Sequence, residues 1–319
     1  MVEYIDIIRV VIIAFIITVI LGPIIIPILK KLNIGQNVRE DGPKTHLTKS
    51  GTPTMGGIII VIALLVISSG LLNSDMYILL VSTIGFGLIG FIDDYMKIVN
   101  KRSLGLRAYQ KLIGQIILAI LLAIYQSRTS MLGTKVIIPF LSHRYLDLGV
   151  LYVPFIAFVV VGTVNSVNLT DGLDGLSSGV TLIVLSFFGL VALNWGMDSI
   201  SIFSASLTGA CLGFLIYNAY PAKIFMGDTG SMALGGAVSA IAILLNLPLM
   251  IPIVGGIYFA EALSVIIQVV SYKLTRKRVF LMSPLHHHFE QKGWKETKVV
   301  IVFWSITVIL CLVGVASLN

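Results

Sequence analysis

Ten stretches of this chain are apolar for long enough to cross a bilayer, at roughly 20 residues per span. They run over approximately 5–29, 54–72, 76–95, 108–125, 151–166, 176–195, 200–217, 231–247, 250–272 and 297–318. No water-soluble fold hides that much apolar surface. The composition agrees: 57% hydrophobic, 12% charged, with a mean hydropathy of +0.99. The expected class is therefore an all-α polytopic integral membrane protein, read as one transmembrane domain over residues 1–319 with about ten transmembrane helices. Cys211 and Cys311 lie far apart inside apolar runs, which fits small buried hydrophobes and gives no disulfide framework or CxxC site. The first run carries Glu3 and Asp6 rather than a basic cluster at its front, and no A-x-A site follows, so it does not read as a cleavable signal peptide.

The net charge of +7 carries information through its distribution, not as a sign of nucleic-acid binding. With ten spans both ends fall on one side. If that side is outside, 18 Lys and Arg are cytoplasmic, among them Lys30, Arg39, Lys44, Lys49, Lys97, Lys101, Arg102, Lys111, Lys273 and Arg276, against only four outside: Arg9, Arg128, Lys135 and Arg144. The positive-inside rule then places both termini outside. The outer connections are short except for 126–150, where KVIIPFL and RYLDLGV form two β-like runs around a turn; a small extracellular β-hairpin is expected there.

Under this topology four polar clusters meet on the cytoplasmic face. The stretch GTVNSVNLTDGLDGLSSG, Gly162 to Gly179, places Asn165, Asn168, Asp171 and Asp174 between spans five and six. Asp93 and Asp94 end span three, Asp228 in FMGDTGS precedes span eight, and His286-His287-His288 lies in the last cytoplasmic loop. Such groups are costly in hydrocarbon unless paired or wet. Each cluster has a plainer reading. Asp171 and Asp174 have the spacing of an N-cap and an N3 carboxylate for span six, and Asp228 or Thr229 could cap span eight. Capping does not explain Asp93 and Asp94, because the C-terminal end of a helix disfavours negative charge. Local pairing with Lys97 or Lys101 is their rival explanation. Adjacent helical residues point about 100° apart, so only one of the pair is expected to face a given point. The histidine run could be a surface feature; consecutive histidines diverge on regular structure and make a poor single-metal chelate.

No Walker A loop, GxSxG elbow or HExxH helix is present. What remains is a carboxylate and amide cluster with nearby Lys and His. Hard oxygen ligands suit Mg²⁺, which usually shares its sphere with substrate phosphates. The chemistry expected is phosphoryl transfer in a cleft on the cytoplasmic face. A secondary transporter would place its ionisable groups near the bilayer midplane, where only Glu261 is found. Span nine is interrupted by Gly255-Gly256, and such a break can splay half a helix to open a lipid groove.

At these residues a family resemblance emerges. NLTDGLDGL, NAYPAKIFMGDTGS, GFIDDYMK, KSGTPTMGG and PLHHHFEQKGW resemble the phospho-N-acetylmuramoyl-pentapeptide transferases, a branch of the polyprenyl-phosphate N-acetylhexosamine-1-phosphate transferases. The contiguous HHH distinguishes this branch from relatives that use UDP-N-acetylglucosamine. The resemblance implies transfer of phospho-MurNAc-pentapeptide from UDP-MurNAc-pentapeptide to undecaprenyl phosphate, giving lipid I and UMP in a Mg²⁺-dependent reaction. It also implies ten transmembrane helices, a homodimer and a place in the bacterial cytoplasmic membrane. It assigns Mg²⁺ to Asp228, with Asn168 joining the metal site. Asp93, Asp94 and Asp171 become catalytic acids, and His288 joins them. Lys49, Asp174, Asn218 and Phe225 surround the nucleoside, Lys111 faces the pyrophosphate, His287 lies near the sugar phosphate, and Gln268 is assigned to substrate binding. The chemistry of the acceptor favours direct attack over an aspartyl-phosphate intermediate, since a phosphate monoester is already largely a dianion at neutral pH.

Overall fold

The computed structural model describes residues 2–32, 49, 51–70, 73–100, 104–141 and 144–318. Arg39, Lys44, Lys101 and Arg102 of the charge asymmetry, and Ser50 and Leu72, lie outside these. The helices are α1 (Tyr4–Lys31), α2 (Gly57–Ser68), α3 (Ser74–Val99), α4 (Ala108–Thr129), α5 (Tyr152–Thr170), α6 (Leu176–Asn194), α7 (Asp198–Asn218), α8 (Gly227–Leu244), α9 (Ile251–Val254), α10 (Gly256–Thr275), α11 (Leu285–Gln291) and α12 (Glu296–Ala316). The protein is thus an all-helical polytopic membrane protein. Among the described residues nine helices are long and apolar enough to cross a membrane, where ten were expected. The difference is the second apolar run, whose helix α2 covers only Gly57–Ser68. The expected break in the ninth run is present: Gly255 separates α9 from α10.

Lipid cannot drive apolar helices together, so close packing through small residues must. α1 carries Ala14, Thr18 and Gly22 at four-residue spacing on its buried face, while Ile8, Ile12, Ile16, Ile20, Ile24 and Ile28 are exposed. Ala14 and Thr18 lie against Gly209 and Gly213 of α7, and Gly22 lies under the ring of Tyr217. The centre of the bundle is α8, whose sequence GDTGSMALGGAVSAIAIL is rich in Gly, Ala and Ser and buried along nearly its whole length. Gly87 and Gly90 of α3 meet Ala233 and the Asp228–Thr229 backbone of α8, and Gly236 of α8 meets Phe86.

The expected hairpin forms, with β1 (Lys135–Ile137) antiparallel to β2 (Tyr145–Asp147) and Val136 opposite Leu146. It is tied to the ends of α8 and α12: Ile137 N–H donates to Asn246 O (2.9 Å) and Phe140 N–H to Ser317 O (2.9 Å). Val2 N–H donates to Asp198 Oδ1 at the start of α7 (3.2 Å). Both ends of the chain therefore share the hairpin's end of the bundle. The up-and-down helices carry Asp93, Asp94, Asp171 and Asp228 to the opposite end.

Candidate active site

The last turns of α3 bring Asp93 and Asp94 against the first turn of α8, which holds Asp228. Asp93 and Asp94 are buried, at 0% and 3% exposure. Asp93 Oδ1 accepts the Leu106 N–H (2.7 Å), and its Oδ2 lies 2.7 Å from Lys97 Nζ and 3.0 Å from Lys111 Nζ. Asp94 Oδ2 accepts both the N–H and the O–H of Thr229 (2.9 and 2.8 Å), and Lys97 stands 3.4 Å from its Oδ1. Asp228 Oδ2 is shared by Lys111 (2.6 Å) and Lys97 (3.0 Å), and its Oδ1 accepts from Asn168 Nδ2 (2.9 Å). Asn168 Nδ2 also donates to Ser231 Oγ (2.8 Å). Gly227, at φ +74°, leads into α8 where a side chain would strike Asp94 Oδ2 and Thr54; glycine is needed there on both counts.

One oxygen from each of Asp93, Asp94 and Asp228 lies within 4.8 Å of the others. The expectation that only one of the α3 acids can face a given point is thus corrected. Asp94 turns toward α8 and Asp93 toward Leu106, yet the length of the side chain lets one oxygen of each reach a common centre. Three hard oxygen donors around one point fit a cation such as Mg²⁺, and Asn168 can add its carbonyl oxygen. Lys97 and Lys111 offset two of the three negative charges. Lys97 entered the sequence reading only as a local partner of the α3 acids; it bridges all three.

The turn between α5 and α6 supplies the other acids. Asp171 is the residue after α5, and α6 begins at Leu176 after Gly175. Neither Asp171 nor Asp174 is its N-cap, which corrects the capping alternative: the turn spends its carboxylates on tertiary partners. Burial first, then the charges of Asp228, Asp94 and Asp174, hold the Asp171 carboxyl well above the usual carboxylate range. Asp174 Oδ1 meets Lys49 Nζ (2.7 Å) and its Oδ2 accepts the Ala222 N–H (2.9 Å). Glu296, in the first turn of α12, places one oxygen 2.6 Å from the same Lys49 ammonium and 2.8 Å from the Asp174 N–H. Burial alone would lower the Lys49 pKa; the two carboxylates outweigh it and raise it. Tyr220 lies with its ring centre 5.9 Å from that ammonium. Asn218 is buried, with its Oδ1 accepting from Ser178 Oγ (2.7 Å) and its Nδ2 donating to Ile224 O (3.0 Å). Half-buried Phe225 exchanges backbone bonds with Pro53 and Gly56. Asn165 pairs with Gln115 (2.7 Å).

The histidines diverge on α11, as consecutive helical residues must. His286 is buried against Glu261 of α10, His287 Nδ1 meets Glu290 Oε2 (2.8 Å), and His288 Nδ1 accepts the Leu281 N–H (3.1 Å). Burial, and then Lys292, lower the His288 pKa. Gln268 Oε1 accepts the N–H groups of Val279 and Phe280, and its Nε2 donates to Phe280 O (2.9 Å). Its amide shapes the connection that leads from α10 to α11. The structure thus gathers Asp93, Asp94, Lys111, Asn168 and Asp228 into one network with Asp171 in its field. Lys49 and Asp174 form a second group, beside the connection that holds Asn218 and Phe225, and His287, His288 and Gln268 lie on a third.

Thr229, Lys97 and Glu296 were missed as site residues. Lys97 had a visible signal in its four-residue spacing from Asp93. Glu296 did not, because a carboxylate in the first turn of a helix is ordinary.

A helical membrane protein with carboxylates gathered at one end of its bundle is the setting in which the family comparison falls. The model of glycosyl transferase family 4 matches residues 76–246, the part that holds α3 to α8 and all three clustered acids. Residues 49–61 match the phospho-N-acetylmuramoyl-pentapeptide-transferase signature 1. Curated relatives of that name are 63% identical in Alkaliphilus oremlandii, covering 99% of both chains, and 62% identical in Alkaliphilus metalliredigens, covering all of both. One in Clostridioides difficile is 53% identical over 96% of this chain and 95% of its own. The chain belongs to the phospho-N-acetylmuramoyl-pentapeptide-transferase family and is an enzyme of that kind, a glycosyl-1-phosphate transferase.

Proposed function

We propose that this enzyme transfers phospho-MurNAc-pentapeptide from UDP-MurNAc-pentapeptide to undecaprenyl phosphate, releasing UMP and forming lipid I, the first membrane step of peptidoglycan synthesis. It does so as a homodimer in the bacterial cytoplasmic membrane, with the acid end of the bundle facing the cytoplasm and both termini outside. The observation that carries the reading is the convergence of Asp93, Asp94 and Asp228 with Lys97 and Lys111 at one bundle end. Phosphoryl transfer asks little covalent chemistry of a protein; it asks for positioned charge.

An oxygen of the lipid phosphate attacks the β-phosphorus of the nucleotide sugar. The bond from that phosphorus to the bridging oxygen breaks, and UMP leaves with the electron pair. The acceptor has a second pKa near 6 and is largely a dianion at neutral pH, so no strong base is required. Asp93 is a poor candidate for a phosphorylated nucleophile. Its Oδ1 accepts a backbone N–H and its Oδ2 stands 2.7 and 3.0 Å from two ammonium groups, contacts the carboxylate would have to give up in order to attack phosphorus. Its role, with Asp94, is to orient the acceptor through the charged network. Lys97 and Lys111 hold phosphate charge as the two substrates meet. Asp228 and Asn168, with the α3 acids beside them, would hold Mg²⁺, which would supply Lewis-acid neutralisation of the pyrophosphate. Lys49, Asp174, Asn218 and Phe225 form the nucleoside side, and His287 and His288 the sugar-phosphate side, near Gln268.

The test uses purified protein in detergent with UDP-MurNAc-pentapeptide, undecaprenyl phosphate and Mg²⁺, reading UMP release. Wild type releases UMP, and the release is lost with EDTA. In Asp228→Ala it falls by about 10³-fold, the scale of losing a principal transition-state charge partner. An active Asp228→Ala would move the metal assignment to the α3 acids. A folded wild type that turns over UDP-N-acetylglucosamine and not the muramoyl substrate would replace the substrate assignment.

A further inference from the structure

Glu261 is an acid inside an apolar run that the proposed chemistry leaves unused. It lies on α10 and is fully buried, as is His286 of α11, at 0% and 1% exposure. An acid in an apolar span is retained at a cost and is a functional candidate by default. Its carboxylate accepts the His286 backbone N–H, with Oε1 at 3.2 Å and Oε2 at 3.4 Å. The ring Nδ1 stands 3.1 Å from the same Oε1, a close electrostatic contact rather than an aligned hydrogen bond. On the other edge of the ring, Nε2 is buried with no hydrogen-bond partner among the described residues. That edge rests on Gly172: a methyl group there would overlap His286 Nε2 and Cε1. Gly172 directly follows Asp171 and precedes Asp174 by two residues. Glu261, His286 and Gly172 therefore form a continuous strut from α10 across α11 to the turn that carries both acids.

We propose that Glu261 is a positioning residue for the transfer reaction: by fixing the His286 ring on Gly172, it sets where the Asp171–Asp174 turn stands relative to Asp228. The proposal rests on the transferase reading above. Glycine at 172 has a use of its own here, since its φ is not in the left-handed region; what it supplies is room for the imidazole. The strut works through hydrogen-bond acceptance and contact, so a neutral acceptor of the same length serves in place of the carboxylate.

The experiment measures kcat and KM for the nucleotide sugar, with unfolding temperature, in wild type, Glu261→Ala, Glu261→Gln, Glu261→Asp, Gly172→Ala and the Glu261→Ala/Gly172→Ala double variant. A turn displaced by a fraction of an ångström to about 1 Å costs kcat on the order of 10- to 100-fold. Glu261→Ala is expected to lose that much kcat, with KM within about threefold, because uniform binding is not what the strut supplies. Glu261→Gln restores most of kcat. Glu261→Asp, which keeps the charge but withdraws the acceptor by one methylene, does not. Gly172→Ala reproduces the kcat loss, and the double variant is no worse than the poorer single one, the signature of two residues acting through one ring. If Glu261→Ala cannot be recovered folded, Glu261→Asp takes its place in the cycle. Retention of kcat in both Glu261→Ala and Glu261→Asp overturns the proposal. So does activity kept by Asp and lost by Gln, which would make charge the operative feature, or single losses that multiply in the double variant. Absence of UMP release from folded wild type would instead sink the transferase reading on which the strut depends.

Discussion

Asp171 sits where a carboxylate is least comfortable. Burial and three neighbouring acids disfavour its charged form, and a hydrogen bond from the Gly227 N–H offsets them in part. The sign of its effect on stability follows. In the unfolded chain the group ionises near 3.9. In the folded protein it holds its proton to higher pH, so the penalty is absent below the unfolded pKa and complete once pH exceeds the folded one. Asp171→Asn removes that penalty. At pH 7 the variant is expected to unfold at a temperature equal to or above that of wild type, and the gap closes as pH falls toward 4. Activity moves the other way, with kcat down about 10²-fold or more if the carboxyl serves the transition state. Thermal unfolding at pH 4 and 7, alongside UMP release, measures both. A variant several degrees less stable at pH 7 would refute the strain, and full activity would refute the role.

At the scale of elements, the site exists because α3 and α8 approach closely enough for a glycine of one to pack on the backbone of the other. Gly90 is the closest point: a methyl group there would overlap the Asp228 carbonyl and the Thr229 nitrogen, both backbone atoms that cannot swing aside. Gly85, one and a half turns earlier, meets only the end of the Leu118 side chain at 3.0 Å. The two make a matched pair on one helix. Gly90→Ala is expected to push α8's first turn away from Asp94, lowering kcat by about 10²-fold and destabilising the bundle by about 1–3 kcal/mol, the scale of overpacking. Gly85→Ala keeps activity within about threefold, because a flexible leucine can yield. Equal behaviour of the two would mean that the α3–α8 contact does not set the site. These contacts also mark how far the sequence could be read. The spans, the hairpin at 135–147 and the break at Gly255 were legible as periodicity, turn chemistry and glycine. So was the convergence of Asp93, Asp94 and Asp228, because up-and-down helices leave few places for them. The partners were not. Asp174 lies 125 residues from Lys49 and 122 from Glu296, and Lys49 lies 247 from Glu296; nothing local in ETKVV distinguishes a tertiary ligand from a helix-end carboxylate. Glu261 announced itself as an acid in an apolar run, but its partner His286 is 25 residues away on another helix. The short α2 was hidden for the opposite reason: hydropathy reports where apolar residues are, not how many of them are wound into helix.

The whole molecule has two chemically different ends. One carries Asp93, Asp94, Asp171 and Asp228; the other carries the hairpin and both chain ends, joined by the Phe140–Ser317 and Val2–Asp198 bonds. Among the described residues Lys and Arg flank the first end far more than the second, and translocation across a membrane leaves basic flanks behind. Orientation can therefore be read with two single cysteines, since Cys211 and Cys311 are buried and give little background labelling. Met131, before the hairpin, is fully exposed, and Gln291, at the end of α11, is exposed at the acid end. In intact cells stripped of their outer barriers, Met131→Cys is expected to react with a membrane-impermeant maleimide and Gln291→Cys to react only after the bilayer is opened. Neither side chain takes part in the site, so both variants should keep UMP release, which certifies the fold being labelled. The reverse pattern would place the acid cluster outside, where nucleotide sugars are not supplied, and the chemistry proposed for it would lose its substrate. Labelling of both positions in sealed cells would show that the bundle does not keep its ends on opposite faces of the bilayer.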